Sequence, residues 1–77
     1  MTQPNLTLDK IKKGKLAKIK TLPNGIEKIY LIRFGICEGS DVFCLERLPG
    51  GTIIIQKNRQ EIAIGYDLAK KIFISLN

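Results

Sequence analysis

Hydrophobic and polar residues alternate along much of this chain, which is the pattern of strands that bury one face. The first alternating segment is 15–22, with Ala17, Ile19 and Thr21 on one face and Lys18 and Lys20 on the other. Alternation and runs of β-branched residues predict further strands at 40–48, 52–57, 60–65 and 72–76. Five short strands are therefore expected.

A different pattern between the first two strands predicts one helix. Pro23-Asn24-Gly25 ends the first strand, and an apolar block at 26–34 is closed by Gly35, a residue type common at helix ends. The apolar side chains of this block are Ile26, Ile29, Tyr30, Leu31, Ile32 and Phe34. They cover more than the stripe that a single buried face needs, so some should be exposed. A lead-in turn at 6–14 and a helical turn at 66–71 are also expected.

These elements predict a mainly β fold. Five short strands in so small a chain cannot hide both faces of a flat sheet, whereas a curled sheet makes one common core. We predict a small SH3-like barrel of about five strands, with one short inserted helix and a C-terminal helical turn. Residues 1–5 are expected to be a loose N-terminus and 6–77 a single domain. The predicted core is Ile19, Val42, Cys44, Ile53, Ile55, Ile62, Ile64, Ile72 and Ile74.

Positive charge is concentrated near the N-terminus. The net charge of the 77 residues is +6, and the stretch 10–20 holds six lysines. Such a cluster is compatible with nucleic acid, an anionic membrane face or an acidic protein surface as partner. Lysines also protect exposed edge strands from unwanted pairing, so a solvated edge strand is the structural alternative. The aromatic side chains lie elsewhere in the chain, so none on which bases could stack is interleaved with these lysines.

Catalytic machinery is not evident. The chain contains no histidine, the usual general base and the commonest metal ligand. Its seven acidic residues are spread singly, and its glycines match neither common phosphate-binding loop. We therefore expect a protein that is not an enzyme.

No apolar run approaches the roughly 20 residues that a membrane-spanning helix needs. The first five residues lack the layout of a signal peptide. Two cysteines are few for a secreted domain of this size. These features predict a cytoplasmic protein.

The two cysteines are the one pair that could hold a soft metal, because thiolates are ligands of such ions. Cys37 and Cys44 supply only two ligands, whereas a closed zinc site needs four. Cys44 alternates with core positions and is expected to be buried. Cys37 is expected to be exposed, with its role open. We expect no cofactor and no metal site, while weak transition-metal binding is left open.

Three stretches, in order and spacing, resemble the FeoA family. They are residues 6–19 (LTLDKIKKGKLAKI), 31–42 (LIRFGICEGSDV) and 61–72 (EIAIGYDLAKKI). The resemblance covers 6–76, almost the whole chain. It implies an SH3-like barrel that assists FeoB, the membrane ferrous-iron transporter, by contact at the cytoplasmic side.

Three function hypotheses follow, and the last of them is metal sensing through Cys37. The first is a non-catalytic accessory protein of ferrous iron uptake that contacts the cytoplasmic region of FeoB, with a homo-oligomer left open. The surplus apolar surface of the helix suggests the partner-binding residues, together with nearby lysines: Ile29, Tyr30, Arg33, Lys18 and Lys20. The alternative is a small basic nucleic-acid-binding barrel that uses the stretch 10–20.

Overall fold

The computed structural model describes residues 6–76, so the predicted loose segment 1–5 and residue 77 lie outside the described residues. The elements are a 3₁₀ turn at Leu8–Lys10, strand β1 at Leu16–Thr21, helix α1 at Ile26–Arg33, strands β2 at Asp41–Arg47, β3 at Ile53–Lys57 and β4 at Gln60–Ile64, helix α2 at Tyr66–Ala69 and strand β5 at Phe73–Leu76. Each strand and helix predicted from the sequence is present, with ends that differ by at most two residues. Between residues 6 and 76, neither helix is long and apolar enough to cross a membrane.

The five strands form one antiparallel sheet in the order β4-β3-β2-β1-β5. The register shifts between Ile19 and Thr21 where β1 pairs with β5, and between Cys44 and Glu46 where β2 pairs with β3. Such irregularities bend a strand and increase its twist. They allow a short sheet to curl around a core, and the predicted mainly β fold is confirmed.

Strand β1 differs from the expectation in two respects. It pairs with β2 on one side and β5 on the other and is therefore an interior strand of the sheet. The alternative that its lysines protect an exposed edge strand is wrong. Thr21, expected on the buried face with Ala17 and Ile19, is exposed. The register shift after Ile19 changes the alternation, because an extra residue in one strand turns the following side chain to the other face.

The core is one cluster of apolar side chains. All nine predicted core residues are buried, each with at most 5% of its surface exposed. The cluster also contains Leu31 of α1 and Ile36 just after it, both fully buried. These two side chains join the end of the helix to the sheet.

The N-terminal segment packs along the outer side of β5. The amide of Leu8 donates to the carbonyl of Ile72, and the amide of Ile74 donates to the carbonyl of Leu6, each at 2.9 Å. The guanidinium of Arg47 donates to the carbonyl of Asp9 at 2.8 Å and also to that of Ile11. The two ends of the described chain are therefore held together.

Candidate functional site

Helix α1 ends in a hydrogen-bonded turn that fixes its direction. Gly35 has a φ of +83°, in the left-handed region. The amide of Gly35 donates to the carbonyl of Ile32 at 2.8 Å, and that of Ile36 donates to Leu31 at 2.9 Å. This is the Schellman arrangement, which satisfies the last carbonyls of a helix. Since Leu31 and Ile36 are both buried, the turn anchors the helix to the core.

Most of the apolar surface of α1 faces away from the core. Leu31 is the buried residue of this helix, whereas Ile26 is 81% exposed and Ile29 is 58% exposed. Tyr30, Ile32 and the following Phe34 are also exposed. The expectation that some of these side chains are exposed is confirmed. Exposed apolar surface on this scale typically marks a binding site.

Part of this surface forms a groove, which we call the α1 groove. Its lining is Ile26, Ile29, Tyr30, Arg33 and Phe34, and its volume is about 590 Å³. The rings of Tyr30 and Phe34 meet edge to face, with 5.0 Å between their centroids. Arg33 adds one cation to an otherwise apolar and aromatic lining. The groove has the chemistry to bind an apolar protein surface.

The structure brings three of the five predicted site residues together. Ile29, Tyr30 and Arg33 line the groove, whereas Lys18 and Lys20 lie on β1 and are not part of the lining. The ammonium of Lys18 lies 3.0 Å from a carboxylate oxygen of Asp41 and also donates to the carbonyl of Gly39 at 3.4 Å. Lys20 is exposed.

Sequence reasoning did not assign Ile26 and Phe34 to the site. The signal was available, because residues four apart share one helix face and both lie four positions from Tyr30. The lining of the groove consists of residues spaced four apart, at positions 26 and 30, 29 and 33, and 30 and 34.

An ion pair ties α1 to the other end of the chain. The ammonium of Lys71, after α2, lies 3.3 Å from a carboxylate oxygen of Glu27. Both side chains are substantially exposed, so water and salt screen this pair and its effect on stability is small.

The two cysteines lie in different environments. Both thiols are free, with Cys44 buried and Cys37 exposed, as expected. Burial raises the pKa of the Cys44 thiol, which keeps it protonated near neutral pH. Across residues 6–76, no three or more Cys, Asp or Glu side chains are grouped to hold a metal ion. That the protein needs no resident cofactor stays a prediction.

The lysine run does not present one continuous charged face. Lys13 lies 3.2 Å from a carboxylate oxygen of Glu46, and Lys18 pairs with Asp41. The contact with Lys13, and then the amide of Arg47, hold the pKa of Glu46 below its usual value. Two of the six lysines are thus partly neutralised within the protein.

Solved structures similar to this chain show the same fold. The crystal structure of an iron uptake regulatory protein, FeoA, is 25% identical, with a TM-score of 0.83 over 94% of this chain and 97% of that one. Iron(II) transport protein A from Clostridium thermocellum is 22% identical, with a TM-score of 0.85 over 92% of this chain and 45% of that one. These similarities confirm the predicted small SH3-like fold.

The fold also occurs within a larger protein. The metal-dependent transcriptional regulator MtsR matches with a TM-score of 0.83 at 16% identity, over all of this chain but 37% of that one. A comparison with curated proteins finds no significant match. The family model of the FeoA domain matches residues 6–76, which is nearly the whole sequence. The chain therefore belongs to the FeoA domain family.

Proposed function

We propose that this chain is a non-catalytic accessory protein of ferrous iron transport that acts by binding the cytoplasmic region of the FeoB transporter through the α1 groove. Membership of the FeoA domain family supports the role in ferrous iron transport. The observation that carries the contact is the exposed apolar and aromatic surface of α1. The proposed location is the cytoplasm.

The composition of the groove suits a protein partner. Tyrosine and arginine are enriched among the side chains that dominate binding energy, and apolar neighbours exclude water around them. Tyr30 lies against Phe34, which restricts its ring before any partner arrives. A ring that is already restricted loses less conformational freedom on binding. We expect a partner with an apolar ridge and one carboxylate placed to accept from Arg33.

The lysines of β1 have a separate part in the proposal. Lys18 and Lys20 lie outside the groove, so they would attract an acidic partner over a distance instead of packing against it. Attraction of this kind changes the association rate more than the dissociation rate and is weakened by salt. Lys20→Gln should therefore slow association at low salt and have little effect at physiological salt.

The test is calorimetric titration of the full chain into the isolated soluble region of its cognate FeoB, with and without guanine nucleotide. We expect saturable binding that Tyr30→Ala or Arg33→Glu weakens about tenfold or more. Tyr66→Ala is the matched control, because Tyr66 is 46% exposed against 44% for Tyr30 and lies outside the groove. Circular dichroism verifies that each variant is folded.

Three outcomes would overturn the proposed contact. They are no binding with or without guanine nucleotide, equal binding by wild type and Tyr30→Ala, or equal weakening by the Tyr66→Ala control. Light scattering at two protein concentrations tests whether the α1 groove instead mediates self-association. A dimer that dissociates in Tyr30→Ala, together with no transporter binding, would assign the groove to self-association.

A further inference from the structure

A second groove lies where the two ends of the described chain meet, and we call it the lysine groove. It is lined by Leu6, Lys10, Ile11, Lys12, Lys15 and Leu76, with a volume of about 280 Å³. Ile11 is buried, whereas Leu76 is 55% exposed. The apolar side chains are thus accompanied by three exposed lysines. None of these residues belongs to the α1 groove.

Backbone hydrogen bonds hold this groove in place before any ligand binds. The amide of Ile74 donates to the carbonyl of Leu6, and that of Ile11 donates to Leu8 at 3.1 Å. The amide of Cys44 donates to the carbonyl of Lys15 at 2.9 Å, which attaches the lysine segment to β2. A preformed groove needs little ordering on binding, and this favours affinity.

The charged side chains that line the groove are all positive. The ion pairs recorded among residues 6–76 involve Lys13 and Lys18 of this run, but none involves Lys10, Lys12 or Lys15. The nearest carboxylate in sequence, Asp9, accepts from the hydroxyl of Thr7. Lys10, Lys12 and Lys15 are therefore available to an external anion, and they lie beside exposed apolar surface.

We propose that the lysine groove binds an acidic peptide segment that carries one apolar anchor residue. The charge complementarity requires carboxylates on the ligand, and the concave apolar part has room for a side chain between them. A membrane would meet a flat or convex basic face, which does not need this concave space. Proteins that bind single-stranded nucleic acid typically stack its bases on aromatic side chains, and this lining contains none. A duplex, like a membrane, contacts a basic face through its phosphates and does not need the concave apolar space. This second site goes beyond the proposed transporter contact and does not depend on it.

The experiment follows backbone amide NMR signals of the full chain during titration with a short synthetic glutamate peptide that contains one leucine. We expect saturable shifts confined to residues 6–15 and the end of β5. The same peptide with serine in place of leucine should bind at least tenfold more weakly, because it has no apolar side chain to bury in the groove. The affinity should also fall as salt is raised.

Variants separate the two parts of the site. Lys12→Glu should weaken binding roughly tenfold, since it replaces an attraction with a repulsion. Arg59→Glu makes the same charge change at an exposed position outside the groove and should have much less effect. Leu76→Thr should weaken binding of the leucine peptide, whereas Leu48→Thr, at a similarly exposed leucine outside the groove, should not.

The proposal is overturned if both peptides bind equally, if Arg59→Glu acts as strongly as Lys12→Glu, or if no saturable shift occurs. It is also overturned if anionic phosphatidylglycerol vesicles or duplex DNA shift the groove signals while the leucine peptide does not. Thermal unfolding of each variant shows whether a loss of binding is a loss of folding. Since the α1 groove is unchanged in these variants, failure here leaves the transporter contact standing.

Discussion

The two cysteines differ in burial and hydrogen bonding, and these differences should give their thiols different reactivities. Cys44 lies in the core, where its thiol donates to the carbonyl of Glu46 at 3.8 Å and burial raises its pKa. Cys37 is exposed in the turn after α1, and its amide donates to the hydroxyl of Ser40 at 3.1 Å. Since the thiolate is the reactive form, the two sites should differ strongly in reactivity.

A chromogenic disulfide reagent should therefore modify one thiol per chain quickly in the native protein. The second thiol should react only as fast as the chain unfolds, and both should react quickly in denaturant. Cys37→Ser should remove the fast equivalent and leave the slow one. Two fast equivalents in the native wild-type protein would contradict the buried position of Cys44.

The pair of Lys13 and Glu46 gives a second prediction at this scale. Because Lys13 helps to lower the folded-state pKa of Glu46, Lys13→Gln should raise this pKa toward its ordinary value. The amide of Arg47 still donates to Glu46 at 3.2 Å, so the return should be incomplete. NMR titration of the side-chain carboxyl carbon measures the change directly.

The lowered pKa of Glu46 determines how the stability of the fold changes with pH. A carboxyl whose pKa is lower in the folded state stabilises the fold above its unfolded-state pKa, and this contribution is lost as the pH falls through the folded-state value. Wild type should thus lose more stability on acidification than Lys13→Gln. Lys15→Gln, with no recorded ion pair among residues 6–76, is the control. An unchanged Glu46 titration in Lys13→Gln would show that the pair does not form in solution.

Among the elements, α1 and the strands could be predicted because their signals are local. Strand β3 is indicated by its run of β-branched residues at 53–55, although only the structure shows that Ile53 and Ile55 are buried and Ile54 is half-buried. The end of α1 is signalled by Gly35. The exposure of Thr21 could not be predicted, because it follows from a register shift between β1 and β5 that the sequence of β1 alone does not contain.

Gly35 offers a test at the scale of the helix. Its φ of +83° is unfavourable for a residue with a Cβ, while an added Cβ would meet no atom within 4 Å. Gly35→Ala should therefore destabilise the protein by about 1–2 kcal/mol through backbone conformation alone. Gly35→Asn should cost less, since asparagine tolerates the left-handed region better. Urea denaturation compares the two, and equal costs would contradict the conformational explanation.

At the scale of the whole molecule, stability rests on one small core shared by all five strands. Ile55→Ala should cost about 2–5 kcal/mol, because the fully buried side chain leaves a cavity. Ile54→Ala, next to it on β3 and half-buried, should cost about 1 kcal/mol. Chemical denaturation measures both, and similar costs would show that the two residues are not separated by the faces of the sheet.

The two grooves differ in how far the sequence revealed them. The α1 groove comes from one helix, so Ile29, Tyr30 and Arg33 could be proposed from spacing and surplus hydrophobicity. The lysine groove joins Leu6 and Leu76, from opposite ends of the described chain, and requires the contact of the N-terminal segment with β5. A lysine run in a sequence does not reveal which lysines are paired internally, as Lys13 is with Glu46.

The most direct test of the accessory role is ferrous iron uptake by cells of the source organism that lack this chain and are supplied with it again. Wild type and Tyr66→Ala should restore uptake, whereas Tyr30→Ala and Arg33→Glu should restore little at equal protein abundance. This is the result expected if the exposed face of α1 carries the contact with the transporter. Full uptake with both groove variants, at matched abundance, would contradict the account.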